Sequence, residues 1–436
     1  MRLSLRILLL TLAIVPSVLL GGCGGGAGDT ATIRFWNGFT GPDGRTMLRM
    51  VKQFNEENPG VRVVMQRMDW YTYYNKLFVA GIGGRAPEVF ILHSVNIPRF
   101  MQANFLRPVD GLLREETALS VRDFRANVWA ATAHHGQHYG VPLDVHPQGM
   151  YYNKALFREA GIVDASGEAR PPRTREEFMD AVRKLTRDID GDGHIDQWGF
   201  VFTNLRNNMI ALMSQFGGGF FDPGTEEVVL NSEANVRALQ WARDLIHEQG
   251  LAPSPENYVA WLGFRQGNVA IAFEGVYMLG DLSKQTDLDF GAAPLPILGD
   301  VPATWADSHV ICLRGDLRGE QLNAAWRFVS FISNHSLDWA EAGQIPARDS
   351  LLSTERFQAM TVQAAFAEQL DDLVYAPNVP FNGEFETEFN EAVELALRDS
   401  MSPREALDRA AANVEKAQAR YRELMKEIGE REEDTE

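Results

Sequence analysis

The sequence predicts an α/β fold of two lobes, each a mostly parallel sheet flanked by helices. Three observations carry that expectation. Short β-rich runs alternate with amphipathic runs once the N-terminal leader is passed. The connections between them are short, which favours parallel strands joined by right-handed crossovers. The 414 residues left after the leader exceed what one compact core holds, so two domains or lobes are expected.

The leader occupies residues 1–22. Arg2 and Arg6 precede an apolar run from Ile7 to Leu20, and Gly21 and Gly22 close it. That is the layout of a secretory signal. Pro16 interrupts the run, which falls short of the roughly 20 apolar residues of a stable membrane span. Leu20-Gly21-Gly22-Cys23 resembles the lipobox of bacterial lipoproteins. The resemblance implies that Cys23 is acylated on sulfur, becomes the first mature residue and anchors the chain to a membrane face. Acyl chains contribute about 0.8 kcal/mol per buried CH₂, and stable anchoring takes more than one. The glycine-rich stretch 23–30 then reads as a flexible tether.

The chain carries 41 Lys+Arg against 59 Asp+Glu, and without the leader its net charge is −20. So acidic a surface disfavours nucleic acid and anionic membrane as partners. Of two cysteines, Cys23 is assigned to lipid. Cys312, in the apolar run "HVICLR", is expected to be buried in a strand. No disulfide framework is expected despite export.

"TIRFWNGF" (32–39) reads as a strand ending in a polar loop. "RTMLRMVKQFNEENPG" (45–60) is a helix, with Met47, Leu48, Val51 and Phe54 at helical spacing and a stop at Asn58-Pro59-Gly60. "VRVVMQ" (61–66) is the next strand, "WYTYYNKLFVAGIGG" the next helix, and "PEVFILHS" (87–94) the third strand. Trp241, in the helical run "VRALQWARDLIHEQG", is expected in the core. The charged end "EREEDTE" (430–436) has a disordered composition. Gly81-Ile82-Gly83-Gly84-Arg85-Ala86 matches a dinucleotide fingerprint, but it closes a helix and precedes a strand, the reverse of what that motif requires.

A series of phrases resembles the extracellular solute-binding proteins of ABC importers, specifically the carbohydrate, maltose-binding-like branch. They are "IRFWNGFTGPDG" (33–44), "FNEENPGVRV" (54–63), "GGRAPEVFIL" (83–92), "PLDVHPQGMYYNKALFREAGI" (142–162), "PPRTREEFMDAVRKLT" (171–186), "FRQGNVAIAFEGVYML" (264–279), "FGAAPLPI" (290–297) and "AGQIPARDSLL" (342–352). The resemblance spans nearly all of the mature chain. It implies a periplasmic-binding-protein-like fold of type II, with a carbohydrate trapped in the cleft between lobes. It further implies no catalysis, delivery to the transmembrane subunits of an ABC permease, a monomer, and an exported chain held by lipid on the periplasmic or outer face of a bacterial membrane.

Such a cleft needs several hinge crossings. Proline beside small residues marks Tyr139–Pro142, Ala293–Pro296 and Gly343–Pro346 as candidates. Lobe one would be 30–142 plus 296–344, and lobe two 143–295 plus 345–436.

Sugars need aromatic rings for their C–H faces and paired hydrogen-bonding side chains for their hydroxyls. Loops at strand ends supply candidates. They are Trp36 and Asn37 after the first strand, and Asp69 and Trp70 after the second. Asp144 and His146 lie past the first crossing, and Trp305, Ser308 and His309 at the start of "SHVICL". Arg348, in "PAR", suits vicinal hydroxyls, with an interlobe ion pair as the alternative. Glu274 and Tyr277 fall where the resemblance implies a glycine followed by a stacking tryptophan, and tyrosine replaces it here.

No cofactor is expected beyond a possible structural calcium. In "DIDGDGHIDQWG" (188–199), Asp188, Asp190, Asp192 and Asp196 fit ligand positions 1, 3, 5 and 9 of a calcium loop, while Gly199 stands where a bidentate glutamate belongs. A solvated acidic turn is the alternative. Two other functions stay open. One is an exported glycoside hydrolase using Asp144 and Glu274, although the chain lacks an eightfold βα pattern. The other is a binder of a non-sugar solute such as a glycerophosphodiester.

Overall fold

The computed structural model describes residues 30–113 and 119–433, so the leader, Cys23 and the glycine tether lie outside the described residues. Residues 31–93 form the first expected strand–helix units. The strand Ala31–Asn37 pairs in parallel with Val61–Arg67 on one side and Val89–His93 on the other. His309–Leu313 joins antiparallel to Val89–His93, and Val141–Pro142 closes the five-stranded sheet.

Both faces of this sheet are covered, so alternate residues enter different helical layers. Ile33 and Phe35 are buried with the helix Pro42–Glu57, which presents Met47, Met50, Val51 and Phe54 on one face and stops ahead of Pro59. Phe35 and Phe54 each lie edge-on to Phe328 of the helix Gly319–Asn334, with centroids 5.1 Å apart. Trp36 points the other way, toward the layer of Tyr73 and Leu77 in the helix Trp70–Ile82. Cys312 is buried in the same layer.

The second sheet is built on Asp144–Asn153, buried at all ten positions. Val269–Gly275, Phe290–Ala293, Thr304–Asp307 and Ile345–Pro346 all pair with it antiparallel. The flanking strands Trp198–Phe202 and Leu373–Tyr375 run parallel to their neighbours. The helices Arg175–Leu185, Leu205–Gln215, Glu233–His247, Asn382–Leu397 and Pro403–Glu433 enclose its core. Trp241 packs against that core, half-buried, 6.4 Å from the Phe178 ring. Residues 430–433 of the charged end continue the last helix, which corrects their reading as disordered.

The chain passes between the sheets at Pro142–Asp144, at Asp307–His309 and around Gly343–Pro346. The expected crossing at Ala293–Pro296 is not one, and the boundary at 296 moves to 307–309. The proline-rich loop stays with the second lobe because Gln215 holds it. Its Nε2 donates to the carbonyls of Pro296 (3.1 Å) and Ala303 (3.0 Å), and its Oε1 accepts from the Leu298 N–H (2.7 Å). Under the crossings, buried Val145, Val276 and Ala306 join the cores of both lobes into a continuous floor. Among the described residues no helix is long and apolar enough to cross a membrane.

Candidate binding cleft

A cleft of about 700 Å³ opens above this floor, walled by both lobes. Trp70, Tyr74 and His93 face it from the first lobe, Asn204, Arg206, Tyr277 and Trp305 from the second, and His146 and His309 from the crossings. Trp70 opens a helix whose N-cap, Asp69, accepts the Thr72 N–H at 3.0 Å. Its ring lies against Gly38, where a Cβ would come within 2.1 Å of it, so that loop position tolerates no side chain. The indole stacks on His309 (5.6 Å, 13°) and on Tyr74 (5.6 Å, 27°), and meets His93 edge-on at 4.5 Å.

The three cleft histidines form one cluster. His93 and His309 are register partners on adjacent antiparallel strands, and His146 is partnered with Asp307 at the next crossing. One nitrogen of each ring lies within 4.8 Å of the other two. Behind them Asp144 is fully buried. Its Oδ2 accepts from His309 Nδ1 (2.7 Å) and Trp339 Nε1 (2.6 Å); its Oδ1 accepts from the His309 N–H (2.9 Å) and faces His146 Nδ1 at 3.3 Å. His93 Nδ1 pairs with the Tyr74 hydroxyl.

Burial alone would raise the Asp144 carboxyl's pKa, but the charge of His309 and the hydrogen bonds from His146 and His309 outweigh it and hold it below the usual carboxylate range. Burial lowers the pKa of His93 well below its ordinary value, and the neighbouring His309 and His146 add to that. For His309, burial acts downward but is outweighed by Asp144, and the net shift is upward.

Of the residues expected to meet a ligand, Trp70, His146, Tyr277, Trp305 and His309 line this cleft. Seven do not. Trp36 lies at a separate surface groove with Tyr71, Lys76 and Arg85, because strand alternation turns it away. Asn37 is buried and its Oδ1 accepts the Phe39 N–H at 3.2 Å. Asp69 is spent as a helix cap at the surface. Asp144 lies behind the histidines with donors on both oxygens. The Glu274 Oε1 accepts from the Gly275 N–H (2.9 Å) and the Tyr277 hydroxyl (3.1 Å); burial raises its pKa against those bonds. Ser308 is buried with its hydroxyl 3.0 Å from that of Tyr375. Arg348 bonds Asp123 (2.5 Å) and the Asn334 side chain.

His93, Tyr74, Asn204 and Arg206 were missing from the expected set. For His93 a signal existed, since it ends a strand of a mixed open sheet, where such sheets place ligands.

In the acidic loop, carboxylate oxygens of Asp188, Asp190 and Asp196 lie within 4.8 Å of one another at an exposed site. Asp192 stands apart from that group and accepts the His194 N–H at 2.8 Å. Gly199 begins inside the strand Trp198–Phe202, where a Cβ would sit 2.3 Å from the Val182 carbonyl oxygen. The fold therefore has no room for a glutamate at position twelve.

Residues 39–336 match the family described as bacterial extracellular solute-binding protein. The maltotriose-binding protein of Pyrococcus abyssi is 22% identical over 387 residues, covering 86% of this chain and 79% of its own. The sugar-binding protein MalE of Xanthomonas citri has a similar structure, with a TM-score of 0.80 at 21% identity over 91% of this chain and 99% of its own. An ABC substrate-binding protein of Listeria monocytogenes, solved in complex with cycloalternan, has a TM-score of 0.76 at 21% identity, covering 90% and 100%.

Proposed function

Because this chain belongs to the bacterial extracellular solute-binding proteins, we propose that it captures a sugar or oligosaccharide by closing its two lobes on it. In this reading it then delivers the sugar to the transmembrane subunits of an ABC permease. One observation carries the reading. The cleft sets aromatic rings of opposite lobes, Trp70 against Tyr277 and Trp305, beside the polar side chains of Asn204 and Arg206. Rings cover the apolar faces of a pyranose, and planar donors and acceptors match its hydroxyls. The saccharides named for its relatives agree with that chemistry.

The chain acts as a receptor rather than a hydrolase in this reading. Asp144 and Glu274, the carboxylates a hydrolase would use as acid and base, are both buried outside the cleft lining. Anchoring through acylated Cys23 on the outside of a bacterial membrane completes the proposal. A chelator-treated sample screened by thermal shift and calorimetry over mono- and oligosaccharides tests it, with small-angle scattering on any hit. Binding with a fall in the radius of gyration is expected, because only the closed form brings both lobes to the sugar. No stabilisation by any saccharide, with unchanged dimensions, would remove it.

A further inference from the structure

We infer that His93, His146 and His309 form a binding site for a divalent zinc ion inside the cleft. Three side chains of the residue type zinc prefers converge there from three different strands. Points within 4.8 Å of one another share a centre no more than about 2.8 Å from each, against Zn–N distances of about 2.0–2.1 Å. The nitrogens so placed therefore need to move by less than about 1 Å to share a metal.

The second observation is independent of that spacing. Each Nδ1 is engaged by a second side chain: those of His309 and His146 by the carboxylate of Asp144, that of His93 by the Tyr74 hydroxyl. A carboxylate only accepts, so His309 and His146 donate Nδ1–H and carry their lone pairs on Nε2. The Tyr74 oxygen accepts in the same way from His93 in the tautomer that leaves its Nε2 free. Among the described residues none of the three Nε2 atoms has a hydrogen-bond partner. Ligating histidines held by an outer carboxylate or hydroxyl are the arrangement that orients imidazoles toward a metal. Asp144 is locked in turn by the Trp339 indole and the His309 amide. It is a positioning residue, not a ligand.

Three protein ligands leave a fourth position, and the cluster lines the cleft, so that position opens toward bound solute. The inference does not depend on the saccharide reading. Its test uses zinc alone, and the saccharide screen uses metal-stripped protein, so either can fail without the other.

The measurement is calorimetric titration of the stripped, full-length protein with zinc, plus electronic absorption with cobalt as a coloured stand-in. One zinc per chain and a four-coordinate cobalt spectrum are expected. His93→Gln and His146→Gln, prepared separately so that one misfolded variant does not end the test, should each weaken zinc by more than a hundredfold, and Asp144→Asn by about tenfold to a hundredfold. No stoichiometric zinc in the wild-type protein, or wild-type zinc affinity in a folded His93→Gln or His146→Gln, overturns the site.

Discussion

Two groups of side chains with the chemistry to hold a metal occur among the described residues, and they are built on opposite principles. The acidic group at 188–196 comes from nine consecutive residues, is exposed, and its carboxylates take the amides of their own loop: Asp188 those of Gly191 (2.7 Å) and Gly193 (2.9 Å), Asp196 that of Ile189 (2.7 Å). The histidine group comes from positions 93, 146 and 309, brings a first-lobe strand end together with two crossings, and is held by Asp144 and Tyr74. A surface turn of acids satisfies itself locally. The histidine group ties the first sheet, the long strand and, through the Trp339 indole, the helical segment Ser336–Trp339 to one buried carboxylate.

Replacing Asp144 behind the histidines and Asp190 in the acidic turn should expose that difference most strongly. Asp144→Ala strips a buried acceptor from His309, His146 and Trp339 and leaves their donors unpaired, at a cost of about 3–5 kcal/mol. Asp190→Ala removes one acceptor from a solvated turn, the Asp192 N–H at 3.1 Å being its partner, and water replaces it. Denaturant unfolding should therefore show a large drop in midpoint for the first variant and none for the second. Equal midpoints would dissolve the contrast between a structural hub and a surface turn.

That contrast also governs what was legible. The acidic turn stands out because its spacing is local. The histidine group does not, because only sheet register sets His93 opposite His309. Asp144 was misassigned for the same reason: nothing near it in sequence announces that Trp339 and His309 will surround it. The first strand–helix units were readable from periodicity and from the proline stop at residue 59. Trp36 was not, since a strand covered on both faces offers no polar side for parity to identify. The second crossing at Asp307–His309 carries no proline or glycine to mark it, whereas Ala293–Pro296 carries two prolines beside an alanine and is only a loop clamped by Gln215.

The rings flanking the histidine group extend the comparison to the ligand. Trp70 covers His309 and His93 at the cleft, while Trp36 lies in the outer groove. Trp70→Ala should lose about 1–3 kcal/mol of apolar contact with a bound saccharide, a rise in Kd of about tenfold to a hundredfold. Trp36→Ala should leave that Kd unchanged. Calorimetry on both variants decides, and equal losses would place the sugar somewhere other than between Trp70 and the second lobe.

The smallest effect is expected at the acidic loop itself. Calcium there would have three clustered carboxylates but no bidentate twelfth ligand, because the Val182 carbonyl blocks any side chain at Gly199. A cation loop lacking that ligand binds weakly, and calcium present at its own Kd shifts a melting temperature by only about 1 °C. Adding millimolar calcium to chelator-stripped protein should leave the melting curve where it was, and Asp190→Asn should behave like the wild type with and without the ion. Zinc in the same assay should raise the melting temperature, and His93→Gln should abolish that rise. A calcium-dependent shift that Asp190→Asn removes would instead make the exposed loop a metal site despite its missing ligand, and the two groups would then differ in strength rather than in kind.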